Sequence, residues 1–391
     1  MDGLVSGKRG VSLRPYFVSE FARFCRRLEM LHNRRTEAKL ILHRVLCYLG
    51  IVLFSRCIFV SLSSTPKIRS GKLYLCGYIF EDFARAVFPE KTPNELTVYN
   101  IKKTAATDLL IWSGDCPLLP WFAGVVLYVD GEAGKMPKIS VSLTKRQASI
   151  FYIGVRKPPQ RVSNHMQLFH MAHTTLLRDY SANDLMHTRH FARKHIAPEF
   201  LLYVNSHCIH FREEAYDRLC LVAASHGLRP PVSRGRCHGK HPETSKFRDD
   251  RLLRNQNAAM LTGFRFMLVM ENSFTDGYIT EKILDAYLAN SVPVYYGTKD
   301  VFRIFNRDSF IYYDIEDPEP AISTLLTLEQ NNSAYLEKLN APILAEGELS
   351  LKKYFSLTDD VGSGELKHKI RSLVGLRSNG RFEPGHALAV T

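Results

Sequence analysis

The stretch Phe264–Gly297 constrains the fold of this chain more than any other feature. Phe264–Met270 (FRFMLVM) reads as a strand. Ile283, Leu284, Tyr287 and Leu288 then recur at helical spacing. Thr280 stands before them as a good N-cap, and Asn290 can end the helix. Val292–Tyr296 is a second strand, with Gly297 as its turn. A strand, a helix and a strand in this order make a β-α-β crossover, which implies parallel strands and a right-handed connection.

The same alternation extends upstream. Phe200–Asn205 (FLLYVN) is a continuous apolar run, as expected for a strand buried on both faces. Phe211–His226 has helical periodicity, with Ala215, Leu219, Val222 and Ala223 on one face and His226-Gly227 as a stop. Earlier still, Leu73–Tyr78, Leu96–Ile101, Asp108–Trp112, Val125–Val129 and Ser149–Gly154 read as strands, and Glu81–Val87 as a helix. A chain of 391 residues exceeds one ordinary core, so two α/β domains are expected. They are placed at 71–195 and 199–345, with a C-terminal helix and tail over 346–391. The helix is expected to pack back across the domains, and the tail after Gly375 to be loose. The passage between the domains is rich in histidine, but His165, His170, His173, His187, His190 and His195 show no HExxH and no paired acid. They read as scattered surface residues, not as a metal site.

Charge and cysteine usage narrow the class. The formal net charge is +13, with part of it gathered in the first forty residues. A basic balance suits nucleic acid, an anionic membrane surface or an anionic small substrate. The chain has no Cys/His finger spacing, no basic-zipper heptads and no ribonucleoprotein aromatic motif, so a nucleic-acid partner is not expected. Residues 45–62 (VLCYLGIVLFSRCIFVSL) approach the roughly 20 apolar residues of a bilayer-spanning helix. Arg56 interrupts them at a cost of about 2.5–3.5 kcal/mol, offset in part by the Leu, Ile, Val and Phe around it. The basic flank precedes the segment. An uncleaved signal-anchor with residues 1–44 cytosolic and the body lumenal is therefore expected. The sequon Asn331-Asn332-Ser333 is compatible with that placement. Of eight cysteines, none sits in a CxxC pair. The five after the apolar segment (Cys76, Cys116, Cys208, Cys220 and Cys237) could form disulfides with at least one left over, or serve as buried small hydrophobes.

Ligands of open α/β sheets bind beyond the carboxyl ends of the strands. Two strand-to-helix junctions carry polar and basic residues there. The first is Ser206, His207 and Arg212; the second is Glu271, Asn272, Ser273, Tyr278, Glu281 and Lys282. A cation in the first helical turn is locally unfavourable unless an anion binds beside it. Lys282 could hold a phosphate and Arg212 could clamp the same diphosphate. Glu281 could accept bonds from a ribose diol, and Asn272 could meet a base or hydroxyl. Read without other information, Glu281 and Lys282 serve equally well as surface charges, and Asn272 as a loop cap.

Phe266–Gly297 (FMLVMENSFTDGYITEKILDAYLANSVPVYYG) resembles the donor-binding signature of the α-1,3/1,4-fucosyltransferases of glycosyltransferase family 10. Its apolar strand, E-N-S, Y-I-T-E-K, helix, S-V-P-V and glycine turn stand in order and at the right spacing. Phe200–Leu219 resembles the family's element around its donor-contacting arginine, which falls on Arg212, and Gly235 and Cys237 match its G-x-C element. The resemblance covers roughly 200–314.

It implies a GT-B fold: two Rossmann-like domains facing a cleft, the second binding GDP-fucose and the first binding the acceptor and supplying a base. The implied reaction inverts the anomeric carbon in one displacement, on a glycan acceptor of a glycoprotein or glycolipid, in a Golgi membrane protein. No cofactor is implied, and no metal where Arg and Lys hold the diphosphate. The implied donor residues are Arg212, Asn272, Tyr278, Glu281 and Lys282. The implied base falls on Glu132 in Val125–Pro137 (VVLYVDGEAGKMP), where Gly-Lys-Met-Pro stands in place of a polar residue and Ser-Pro. That departure leaves Asp130 a rival and Asp115 a weaker one. It also keeps open a catalytically silent module that binds a sugar nucleotide or glycan. A GT-B enzyme using another nucleotide-sugar donor is the remaining alternative.

Overall fold

The structure is a computed structural model that describes residues 70–77, 81–131, 150–155, 165–169, 182–242 and 261–383. The expected anchor at 45–62 lies outside these residues. Among the described residues no helix is long and apolar enough to cross a membrane.

Two parallel sheets form the body, both within the unit Arg69–Thr391. The first contains β1 (Leu73–Gly77), β2 (Pro93–Glu95), β3 (Leu109–Ser113), β4 (Val125–Asp130), β5 (Ile150–Gly154) and β6 (His165–Gln167). Their spatial order is β2-β1-β3-β4-β5-β6. Helix α1 (Glu81–Val87) follows β1. In β4 the period of two sorts the side chains: Val125, Leu127 and Val129 enter one core, and Val126 and Tyr128 the other. Both faces are therefore covered, as parallel sheets require.

The second sheet contains β7 (Glu199–Asn205), β8 (Val232–Gly235), β9 (Phe264–Met270), β10 (Val292–Tyr296) and β11 (Ile311–Tyr312), in the order β11-β10-β9-β7-β8. Helix α2 (His210–Ser225) joins β7 to β8, and α3 (Lys282–Leu288) joins β9 to β10. In β9, Met267 and Val269 face one core, and Phe266, Leu268 and Met270 the other. The one charge in that run, Arg265, is buried. Its guanidinium stacks 4.2 Å from the Tyr335 ring and donates to Asn332 Oδ1 (3.0 Å) and Leu328 O (2.7 Å). Further helices follow: α4 (Val301–Ile304), α5 (Glu319–Gln330), α6 (Asn332–Asn340), α7 (Glu348–Phe355) and α8 (Glu365–Leu373).

The chain's end returns to the first sheet. Leu366, Ile370 and Val374 share a core with Phe83, Ala84, Val87 and Phe88. Their i, i+4, i+8 spacing places them on one stripe of α8 and its C-cap, Val374. Arg371 donates to Val87 O and to both carboxylate oxygens of Glu90, each at 2.9 Å. The segment after Gly375 is not loose as far as Glu383. Leu376 and Phe382 form an antiparallel bridge, and Phe382 is fully buried with its ring 5.7 Å from Phe88.

Leu96–Ile101 is not a strand. Leu96 and Ile101 are both buried, but the chain turns between them, with Asn100 Oδ1 accepting from Thr97 N at 2.8 Å, and a 3-10 turn begins at Ile101. Only the two ends of the segment are buried, with Val98 and Tyr99 exposed between them, as a turn and not a pleat would place them.

Candidate active site

In each sheet the strand order reverses once, and the crevice at such a reversal is where open α/β sheets bind ligands. In the second sheet β7 leads to β8 on one side, and the chain then returns to β9 on the other. The reversal lies between the carboxyl ends of β7 and β9. Arg212, from the first turn of α2, fills this position and is only 2% exposed. Its Nε donates to Glu271 O (3.2 Å), Nη1 to His207 O (3.4 Å) and Nη2 to Met270 O (2.5 Å). One guanidinium thus ties the loop after β7 to the loop after β9. Three of its five N–H groups are committed to carbonyls, which leaves one on each terminal nitrogen. Burial pulls its pKa down, against the opposing charge of Glu271 and the nearby Tyr203 and Tyr278.

The loop from β9 to α3 is organised around Glu271, which is fully buried. Its Oε1 accepts from Thr280 N at 2.7 Å, and its Oε2 from Thr280 Oγ1 at 2.8 Å. Thr280 is not the N-cap of α3. Glu281 holds that position, and the Thr280 hydroxyl turns back to Glu271. Lys282 Nζ donates to Thr280 Oγ1 (2.8 Å) and lies 3.8 Å from Glu271 and 3.6 Å from Glu281. Burial pulls the Lys282 pKa down, but the Glu281 and Glu271 carboxylates outweigh it and the net shift is upward. Burial raises the pKa of Glu271, against the ammonium of Lys282 and the bonds from Thr280. The result is an ammonium that stays charged, 27% exposed on its side chain, at the carboxyl edge of the sheet.

The five donor candidates occupy one region. Tyr278 is buried and lies close enough to Arg212 to influence its charge. Glu281 is 26% exposed beside Lys282, and Asn272 is exposed at the start of the loop. Glu271 was named in the sequence only as part of the junction. Its position, a carboxylate directly after an unbroken buried strand with a lysine in the next helical turn, was the available signal. Tyr295 and Gly297 carried none. A Cβ on Gly297 would lie 2.4 Å from Tyr295 Oη and 2.9 Å from Glu271 Cγ, so glycine is what allows β10 to close on the carboxylate.

The first sheet turns its own carboxyl ends toward this loop. Its strand order reverses between β1 and β3, and the Cys76–Cys116 disulfide staples that point. A second disulfide, Cys208–Cys237, staples the loops after β7 and β8, and Cys220 is free. Two disulfides with one cysteine left over is the first of the two arrangements expected. Asp130 ends β4, buried, and accepts from Tyr152 Oη at 3.0 Å. Asp115 is exposed next to Cys116. Glu132 lies outside the described residues. Gly277, within the Glu271–Thr280 loop, connects the two sides. It has φ +78°, and a Cβ there would lie 2.2 Å from Val155 O and 2.6 Å from Gln167 Nε2. The Glu271–Thr280 loop therefore rests directly on the ends of β5 and β6. Among the described residues, no group of three or more His, Cys, Asp or Glu could hold a metal ion.

A comparison with known protein families falls on the second of these junctions. Residues 232–340 match the model of the glycosyltransferase family 10 (fucosyltransferase) C-terminal domain. The matched segment is similar to that C-terminal domain. The match includes the loop from Glu271 to Lys282 together with β8 to β11. An α-(1,3)-fucosyltransferase of Helicobacter pylori is 36% identical over 88 residues, 22% of this chain and 18% of that protein. A 4-galactosyl-N-acetylglucosaminide 3-α-L-fucosyltransferase 9 of Mus musculus is 38% identical over 79 residues, 19% of this chain and 22% of that one. The matched segment thus spans about a fifth of the length of these relatives. A crystal structure of an α1,3-fucosyltransferase superposes over 83% of this chain and 95% of its own, with 16% identity and a TM-score of 0.52. That likeness is one of fold and extends the GT-B-like α/β architecture to the first sheet.

Proposed function

We propose that this chain is an inverting fucosyltransferase. It moves L-fucose from GDP-fucose to a hydroxyl of a GlcNAc-type residue on a glycan, in α-1,3 linkage. The observation that carries this reading is the Glu271–Thr280–Lys282 cluster at the carboxyl edge of the second sheet, inside the segment that matches family 10.

The chemistry follows from the charges. The acceptor oxygen attacks the anomeric carbon of fucose as the bond to the diphosphate oxygen breaks. Negative charge then grows on the departing GDP. Lys282 meets that charge with an ammonium kept protonated by two carboxylates, and its place at the edge costs no reorganisation during the step. Glu281, its neighbour, suits the ribose diol. Arg212 holds the two loops in register and has two N–H groups left for the diphosphate. The acceptor proton goes to a carboxylate on the first domain. Glu132 is the proposed base, with Asp130 its rival two residues earlier at the end of β4. Residues 45–62 are proposed as a signal-anchor that holds the body in the Golgi lumen.

The test is fucose transfer by the full chain from a panel of sugar nucleotides to lactosamine-type acceptors, alongside Glu132→Gln, Asp130→Asn and Lys282→Ala. Transfer from GDP-fucose alone is expected. Lys282→Ala should lower kcat by about 10²–10³-fold, the range for loss of a preorganised charge stabiliser. Loss of the base should cost about 10²–10⁴-fold, in Glu132→Gln and not in Asp130→Asn. GDP-fucose binding without any transfer would favour the silent module, and no GDP-fucose binding would overturn the reading.

A further inference from the structure

The carboxyl edge of the second sheet continues past β10 into a cavity that the proposed transfer does not use. It has a volume of ≈ 530 Å³ and is lined by Lys299, Phe302, Arg303, Arg307, Tyr312 and Asp314. Three cations thus face one carboxylate. The wall beneath them is aromatic. Phe302 stacks on Phe310 at 5.5 Å and leans on Tyr312 at 5.2 Å, and the Arg307 guanidinium sits 4.0 Å above the Phe302 ring. A guanidinium held face-down on a ring keeps its N–H edge free for an anion.

The cations are only partly neutralised. Arg303 pairs with Asp300 at 3.1 Å. Lys299 is exposed, and among the described residues no carboxylate lies within ion-pair distance of it. The lining holds one acid against these three cations, Asp314, whose Oδ1 accepts from Glu316 N at 3.1 Å. A concave site lined mainly by one sign of charge concentrates ions of the other.

The cavity borders the donor cluster without sharing residues with it. Tyr312 Oη donates to Gly297 O at 2.8 Å, and Gly297 in turn packs on Tyr295 and Glu271. None of Arg212, Asn272, Tyr278, Glu281 and Lys282 lines it. We propose that this cavity is a second anion site, separate from the Lys282 cluster, which takes the tetrahedral group of a phosphate or sulfate monoester. The pairing of Arg with an oxyanion supplies the geometry. The aromatic wall favours a ligand whose anion is carried on a ring.

Calorimetric titration of the full chain with inorganic sulfate and with glucose 6-phosphate, using glucose as the uncharged control, tests this. Both anions should bind and glucose should not. A tighter fit of the sugar phosphate would identify the ester as the preferred source, and equal affinity the free anion. Binding should persist in Lys282→Ala and under saturating GDP. It should fall at least tenfold in the Arg303→Gln/Arg307→Gln pair, while far-UV circular dichroism and GDP affinity stay unchanged. Should that pair fail to fold, Lys299→Glu at an exposed position reads the same loss. Anion binding untouched by these changes, or abolished by GDP or by Lys282→Ala, would overturn the proposal. Because GDP affinity is measured separately, failure here is distinguishable from failure of the fucosyltransferase reading.

Discussion

Thr280 donates both its backbone N–H and its hydroxyl to the buried carboxylate of Glu271, and so closes the loop between β9 and α3 on itself. The same hydroxyl accepts from Lys282 Nζ at 2.8 Å. One side chain thereby satisfies a carboxylate that water cannot reach and orients the ammonium that can. Thr280→Val keeps the shape and removes the hydroxyl. It should cost about 1–3 kcal/mol, the range for leaving a buried polar group short of a partner. Urea unfolding should show a lower midpoint with an unchanged slope. Thr280→Ser should recover most of the loss, and equal midpoints for Thr280→Val and wild type would remove Thr280 from this role.

Lys282 gives the site a pH signature. Burial lowers its pKa, but Glu281 and Glu271 raise it further, so the folded value lies above the ordinary lysine value of 10.5. The folded state therefore holds this proton more tightly than the unfolded chain. Its contribution to stability is complete below pH 10.5 and is lost as pH rises through the folded value. The stability difference between wild type and Lys282→Met should be flat between pH 7 and 10 and should shrink above 10.5. Chemical unfolding of both proteins across that range checks it. A difference that grows with pH would reverse the sign of the coupling.

Gly277 couples the two sheets by close backbone approach. Its φ of +78° suits glycine, and a Cβ would press on Val155 O at 2.2 Å, a backbone atom that cannot swing away. Gly277→Ala should therefore cost about 1–3 kcal/mol for the backbone conformation, before any shift of the loop. It should also push the Glu271–Lys282 loop off the ends of β5 and β6. The expected kinetic result is a fall in kcat/KM for fucose transfer larger than any change in GDP affinity, because the diphosphate cluster moves as a unit while its distance from the acceptor side changes. An equal fall in both would place the effect inside the donor loop.

The sequence made the buried strands legible and hid the exposed ones. FLLYVN, FRFMLVM and the apolar part of VVLYVD declare strands because parallel sheets covered on both faces need unbroken apolar runs. Strand β2 is Pro93-Asn94-Glu95 and β6 is His165-Met166-Gln167, short edge strands held by backbone pairing to one neighbour, so their side chains carry no pattern. The Glu271–Lys282 junction was legible because charged residues interrupt an apolar crossover at one edge. The burial of Glu271 was not, because it depends on Thr280 nine residues later and on Tyr295 and Gly297 from the next strand. Nor was the buried state of Arg212, whose partners are all backbone carbonyls.

Asn331 tests the sequence reading of the sequon against its local structure. Its side chain caps α6, with Oδ1 accepting from Ser333 N (3.0 Å) and Ala334 N (3.1 Å). Asn331→Ala should lower stability by about 0.5–2 kcal/mol, whether or not a glycan is attached. Asn331→Asp keeps the cap and removes the acceptor amide. If only glycan loss mattered, the two variants would be equally destabilised; if the cap matters, Asp should match wild type in an unglycosylated preparation.

The chain's end should be as important to the first sheet as any of its own strands. Ile370 is fully buried among residues of α1, β1, β3 and β4, more than 200 positions earlier in the sequence. Ile370→Ala should cost about 2–5 kcal/mol, by lost transfer energy and a residual cavity. Ending the chain at Gly375 should also destabilise, though less. It removes Phe382 from the Phe88 ring, the bond from Gly71 N to Gly380 O, and the Lys91 ammonium's acceptor at Gly380. The truncated chain keeps α8, so GDP affinity, proposed above for the second sheet, should survive while the unfolding midpoint drops. Hydrogen exchange would locate the change: amides of β1 and β3 should lose protection and those of β7 and β9 should not. Uniform loss of protection in both sheets would mean that the two sheets unfold as one cooperative unit, and unchanged protection in β1 would mean that the tail merely lies on the surface.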